Sequence, residues 1–164
     1  MPRIHAITPC LWFDTEAEAA ANFYVSVFPR SGIRRIARYP DAAKEVGHVP
    51  GAVMVVDFEL SGHRFTALNA GPECGFTPAV SFQVHCRDQR EIDRCWEALS
   101  EDGDPSAQQC GWLSDKFGLS WQIVPDDIDA FYADDDPARA QRVMKAMLSM
   151  KKLDLAALRR AAAG

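Results

Sequence analysis

An α+β fold is what the sequence predicts: two β-α-β-β-β modules followed by a C-terminal helical tail. Three observations carry it. Apolar residues recur with period two and then with helical spacing in the order strand, helix, strand, strand, strand up to about residue 69, and the order starts again at residue 79. A hairpin in each half superposes when Gly62 is laid on Gly118, which puts Phe65 opposite Trp121, Thr66 opposite Gln122, Ala67 opposite Ile123 and Leu68 opposite Val124. The helical segments "ANFYVSVF" and "DRCWEALS" match as well.

The elements follow in order. "ITPCLWF" (7–13) is a β-rich apolar run. "DTEAEAAANFYVSVFP" opens with Thr15 and Glu18 at capping-box spacing and carries Ala20, Phe23, Tyr24, Val27 and Phe28 on one helical face before Pro29 stops it. "SGIRRIARYP" reads as an exposed strand, and residues 41–50 as a polar, mobile loop. Two strands, Val53–Leu60 and Arg64–Asn69, turn at "SGH". "AGPECGFTP" links to the second half. There "AVSFQVHC" is a strand, and the helix of "DQREIDRCWEALSEDG" turns Ile92, Cys95, Trp96 and Leu99 inward and ends by Gly103. "DPSAQQ" gives no clear strand signal, and "CGWLSD", "KFG" and "LSWQIVP" make a hairpin. The tail has Val143, Met144, Met147, Leu148 and Met150 at helical spacing and then Asp154 as the N-cap of a last helix. The boundaries are 1–70 for the first module, 71–126 for linker and second module, and 127–164 for the tail, all within one structural domain.

With 164 residues, 48% of them hydrophobic, the chain has enough apolar surface for a core without staples. A net charge of −5 gives no general attraction for nucleic acid or an anionic membrane. Five cysteines without a CxxC pair and no apolar leader read as a cytoplasmic protein with reduced thiols. No run approaches the roughly 18 apolar residues of a membrane span. Cys10 and Cys95 sit on apolar faces and read as small core residues.

"ITPCLWFD", "EAAANFYVSVFP", "FTALNAGP", "AVSFQV", "DRCWEALS", "CGWLSDKFGLSWQIVP" and "RVMKAMLSMKKLDLAAL" together resemble the PhnB-like branch of the vicinal oxygen chelate superfamily. Its members include glyoxalase I, bleomycin-resistance proteins and extradiol dioxygenases. The resemblance implies two modules curled around a ligand cavity, helices outside, and commonly a dimer, so a homodimer with the tail contributing is expected. Strand parity then assigns faces. Val80, Phe82 and Val84 should pack on helices with Trp121 and Ile123. Ala79, Ser81, Gln83 and His85 should line the cavity with Ser120, Gln122 and Val124.

Metal-dependent relatives use four positions, which fall here on Ile7, Thr66, Ala79 and Gln122. Gln122 is the one residue of that set with a ligand's chemistry, so no metal is expected at that place. The histidines His5, His48, His63 and His85 form no paired ligand motif, and His85 is the best placed of them to serve at a cavity rim. PhnB-like proteins carry a methyltransferase name, yet neither strand-helix junction, "WFDTEAE" or "HCRDQRE", has the glycine turn that a methyl donor such as S-adenosylmethionine needs. No cofactor is therefore expected. The reading that follows is a cavity for a small organic molecule, lined by Arg64, Thr66, Ser81, Gln83, His85 and Gln122. These residues would otherwise only satisfy one another across a narrow cleft. A metal-dependent lyase, isomerase or dioxygenase and a methyltransferase are the enzymic alternatives. A drug-sequestering role would call for carboxylates in the cavity row, which contains Arg64 and none.

Overall fold

A computed structural model of the chain describes residues 6–132 and 136–164, in two units divided between Gly75 and Phe76. The first contains β1 (Cys10–Phe13), α1 (Ala17–Val27), β2 (Gly32–Arg38), β3 (Val53–Leu60) and β4 (His63–Asn69). The second contains β5 (Ser81–Cys86), α2 (Gln89–Ser100), β6 (Asp104–Gln109), β7 (Trp112–Ser114) and β8 (Ser120–Pro125), then α3 (Asp129–Tyr132), α4 (Pro137–Leu148) and α5 (Leu155–Ala163). The sheets have one topology, β1-β4-β3-β2 and β5-β8-β7-β6, each with its first strand parallel to its last and the other neighbours antiparallel. The repeat read from the hairpins is therefore a repeat of whole modules. β6 gave no sequence signal because its residues are mostly exposed on both faces, which removes the alternation that marks a strand.

In the first unit Val56, Phe58 and Leu60 of β3 and Phe65 and Ala67 of β4 are buried, facing Ala17, Ala20, Ala21, Tyr24 and Val27 of α1. Phe58 stacks between Tyr24 and Phe65, with centroids 6.4 and 5.5 Å away. The expected capping box of Thr15 and Glu18 does not form. The first turn of α1 is held instead by Asn69, at the end of β4, whose Oδ1 accepts from the Ala17 N–H at 2.8 Å while its Nδ2 donates to the Val53 carbonyl at 3.0 Å. A buried side chain from another element thus replaces the local cap. Residues 41–46 of the predicted loop form a 3-10 helix, Asp41–Val46, because Ala43 is buried and Gly47 takes a left-handed backbone (φ 86°) that returns its N–H to the last turn. His48 stacks on Tyr39 with centroids 4.1 Å apart.

In the second unit α2 buries Ile92, Cys95, Trp96 and Leu99, the face its spacing predicts. Asp88 caps it by accepting from the Glu91 N–H at 2.9 Å. Glu91 accepts in turn from the Arg87 N–H and Nε, each at 2.9 Å. The Arg87 guanidinium and N–H hold the Glu91 carboxyl at about 2, below its ordinary 4.5. A depressed carboxyl contributes stability that is present above its unfolded pKa and is lost as pH falls through the folded one. Glu91→Gln is therefore expected to be less stable than the wild type at neutral pH and to show a smaller loss of urea stability between about pH 4.5 and about 2, where the two proteins converge.

The segment "CGWLSDKFG" closes on Asp115, which is buried and accepts three hydrogen bonds: from the N–H of Phe117 at 2.8 Å, of Leu119 at 3.1 Å, and from Trp121 Nε1 at 2.8 Å. The tail packs on its own unit. Cys110 and Gly111 donate their N–H groups to the carbonyls of Met150 and Lys151 at 2.8 and 2.7 Å. Gln89 bridges the Leu153 carbonyl and the Leu155 N–H at 3.0 and 2.9 Å, and Lys152 pairs with Asp93 at 2.6 Å. Val124, Ile128, Phe131, Val143, Met147, Leu153 and Leu158 form one buried cluster. Gly111 has to be glycine, since its φ is +86° and a Cβ there would lie 2.9 Å from the Ile123 carbonyl and 3.2 Å from Leu153. Asp154 caps α5 as its position predicts. Among the described residues no helix is long and apolar enough to cross a membrane.

Candidate functional site

Each sheet has a face turned away from its helix, and the residues there are polar because strand alternation leaves them outside the core. In the first unit one row crosses all four strands: Arg35 pairs in register with Asp57, Asp57 with Thr66 and Thr66 with Cys10. Arg35 donates to Asp57 Oδ2 from Nε at 3.0 Å, its Nη2 lies 2.8 Å from the same oxygen, and Thr66 Oγ1 donates to Asp57 Oδ1 at 3.1 Å. Both oxygens of Asp57 are thereby used. In the next row Glu59 lies between Arg34, which hydrogen-bonds it closely, and Arg64, whose Nε stays 3.8 Å from Oε1. The Arg34 hydrogen bond holds the Glu59 carboxyl below its ordinary pKa, and the charges of Arg34 and Arg64 add to the effect. A hollow of about 470 Å3 opens over these rows, lined by Thr8, Arg34, Asp57, Phe58, Glu59, Arg64 and Thr66.

Sequence reasoning put Arg64 and Thr66 here and missed Asp57, Glu59, Arg34 and Arg35. The signal for the carboxylates was available in "VVDFEL", where Asp57 and Glu59 alternate with the buried Phe58 and Leu60. The inference that this face lacks carboxylates is corrected accordingly. Cys10 is also corrected: it is exposed and lies in the polar row beside Thr66, not in the core. Partial burial of its sulfur and the nearby Asp57 both raise its pKa, which keeps it a neutral thiol and a poor nucleophile at neutral pH.

In the second unit Gln83, Gln122, Trp112 and Gln109 are register partners across the sheet. Gln122 Nε2 donates to Ser81 Oγ at 2.8 Å, and its Oε1 accepts from Gln83 Nε2 at 3.2 Å. Three predicted site residues, Ser81, Gln83 and Gln122, are thus joined in one chain, and both ends of the Gln122 amide are engaged inside its own module. Beside them a hollow of about 430 Å3 is lined by Pro78, Ala107, Gln109, Cys110, Trp112, Leu113 and Ser120. His85 is exposed, outside the hydrogen-bonded chain, at the register position of Val124. Val124 itself is buried in the tail cluster, so the mixed row is covered at that end. Val80, expected on a helix, is 66% exposed, because β5 begins after it.

The residues at the four superfamily metal positions do not suit a divalent ion. Ile7 is exposed and Ala79 precedes β5, and neither side chain has a donor atom. Thr66 is bonded to Asp57, and the Gln122 oxygen that would ligate accepts from Gln83. Among the described residues no group of three His, Cys, Asp or Glu side chains is placed to hold a metal ion. His5 lies outside them, His48 stacks on Tyr39, and His63 and His85 are exposed.

The sequence profile of the 3-demethylubiquinone-9 3-methyltransferase family matches residues 5–124. A solved PhnB protein from Bacillus cereus, assigned provisionally as such a methyltransferase, is 36% identical over 72% of this chain and 98% of its own, with a TM-score of 0.61. Protein PA1353 from Pseudomonas aeruginosa, 18% identical over 73% of this chain and 96% of its own, has a TM-score of 0.57 and shares the fold. No curated protein matches the chain.

Proposed function

Because the chain belongs to the 3-demethylubiquinone-9 3-methyltransferase family, in the glyoxalase and bleomycin-resistance superfamily, we propose that it binds a small organic molecule on the polar faces of its sheets, without a metal at the superfamily position. The observation that carries this reading is the hollow of about 470 Å3 in the first module, where Arg64 and Thr66 stand among charged and hydroxyl side chains. Polar groups of this kind orient a ligand through a few hydrogen bonds. The Ser81–Gln122–Gln83 chain occupies the equivalent face of the second module and supports the same use there, with His85 at its edge.

The family name carries methyl transfer as a second reading. The strand-helix junctions, residues 14–16 and 87–88, contain no glycine, so neither offers the close backbone approach that the ribose and methionine parts of S-adenosylmethionine usually require. A homodimer in the cytoplasm belongs to the proposal. Met144 and Leu148, one turn apart on α4 and both exposed, are the apolar tail positions that a second subunit would cover, and light scattering tests the assembly.

A thermal-shift screen of small organic molecules, run with and without added Mn, Fe, Ni and Zn and with S-adenosylmethionine as a separate arm, tests the function. Expected are ligands that stabilise the metal-free protein and lose about tenfold or more in affinity in Thr66→Ala, with no response to S-adenosylmethionine. Stabilisation that appears only with a divalent ion, or methyl transfer from the donor, overturns the reading.

A further inference from the structure

We infer that the first module's hollow takes the oxyanion group of a small organic acid, with Arg64 as the side chain that holds it. The inference rests on the binding reading above and adds the class of ligand.

Charge is the starting point. The chain as a whole is acidic, with a net charge of −5, so a small anion has no general reason to approach it. The polar face of the first sheet is the local exception, because Arg34, Arg35 and Arg64 outnumber Asp57 and Glu59 there by one positive charge. The partners are also distributed unequally. Arg35 is committed to Asp57 and Arg34 to Glu59, each through hydrogen bonds. Arg64 has a separation of 3.8 Å from Glu59, beyond hydrogen-bonding distance, and its side chain is 76% exposed.

Both carboxylates are thus neutralised by arginines other than Arg64. A guanidinium has five N–H donors in a planar fork, and that fork matches carboxylate or phosphate oxygens two at a time. Thr8 and Thr66 line the same hollow, and the Thr66 hydroxyl, already donating to Asp57, keeps acceptor capacity for a hydroxyl on the ligand. A cationic ligand fits worse: Asp57 and Glu59 already have their arginines, and Arg64 would repel it.

The test uses the full chain labelled with 15N and three probes: benzoate, the uncharged benzamide of the same shape, and inorganic phosphate. Benzoate is expected to shift the Arg64 Nε–H signal and the Thr66 and Cys10 amides and to saturate, while benzamide binds about tenfold or more weakly. Arg64→Gln, at an exposed position that leaves the core intact, is expected to weaken benzoate about tenfold or more. Phosphate that competes with benzoate supports the inference and shows that a tetrahedral oxyanion serves as well as a planar one. Equal binding of benzoate and benzamide overturns the inference but leaves the organic-ligand reading standing, as does benzoate binding that survives in Arg64→Gln. Silence from all three probes at this face overturns both.

Discussion

Replacing Asp115 with alanine is expected to lower the unfolding free energy by about 4 kcal/mol, a large share of what holds an ordinary domain together. Its carboxylate accepts from two backbone N–H groups of the β7–β8 turn and from the indole of Trp121. Leu119 and Trp121 are both buried, at 2% exposure, so their donors would lose the carboxylate where water has little access. A hydrogen bond to a charged group contributes about 1.5–3 kcal/mol, and three that share one acceptor group are less than additive. Asp115→Asn keeps an acceptor for the two backbone groups but presents an amide N–H to the indole N–H, so it should cost roughly half as much. Urea unfolding followed by tryptophan fluorescence reads both variants. A loss under about 1 kcal/mol in the alanine variant would show that the backbone bonds of the turn hold it unaided.

Leu153→Ala should cost about 3 kcal/mol, within the range for large-to-small changes at fully buried leucines. Leu153 has no exposed surface, packs in the tail cluster and touches the place where a side chain on Gly111 would lie. The surrounding backbone cannot relax freely into the resulting cavity, because Cys110 and Gly111 are hydrogen-bonded to Met150 and Lys151 just before it and Gln89 holds the Leu153 carbonyl itself. The loosened tail should also be cut by limited proteolysis after residue 126 faster than in the wild type. Lys145→Ala is the control: that side chain is exposed on α4, outside the apolar positions assigned to a second subunit, and its loss should change stability by less than about 0.5 kcal/mol. If the two variants behave alike, the tail is not part of the second module's core.

These two expectations explain why "CGWLSDKFGLSWQIVP" and "MKKLD", the pieces of sequence with the most specific resemblance, contribute architecture before they contribute function. The first is a turn organised around Asp115, and the second is the strip of backbone that docks on Cys110 and Gly111. The polar face of the first sheet is spread differently. Its members come one or two at a time from four strands, so no single stretch of sequence displays it.

Periodicity and turn chemistry by themselves determined the two modules, the buried face of α2, the Asp154 cap and the equivalence of the β3–β4 and β7–β8 hairpins, because each is a property of residues near one another in the chain. The placement of Arg64 and Thr66 on one polar face also followed from alternation within β4. Tertiary structure decided what depends on distant partners. Asn69 displaced the local capping box of α1 by reaching Ala17 from across the module. Cys10 left the expected core because register with Thr66 sets its face, and Val124 left the open row because the tail covers it. The pairing of Asp57 and Glu59 with Arg35 and Arg34, which leaves Arg64 with one long contact, arises from strands brought side by side. A one-residue shift in register turns a side chain to the opposite face, and register is set by the assembled sheet.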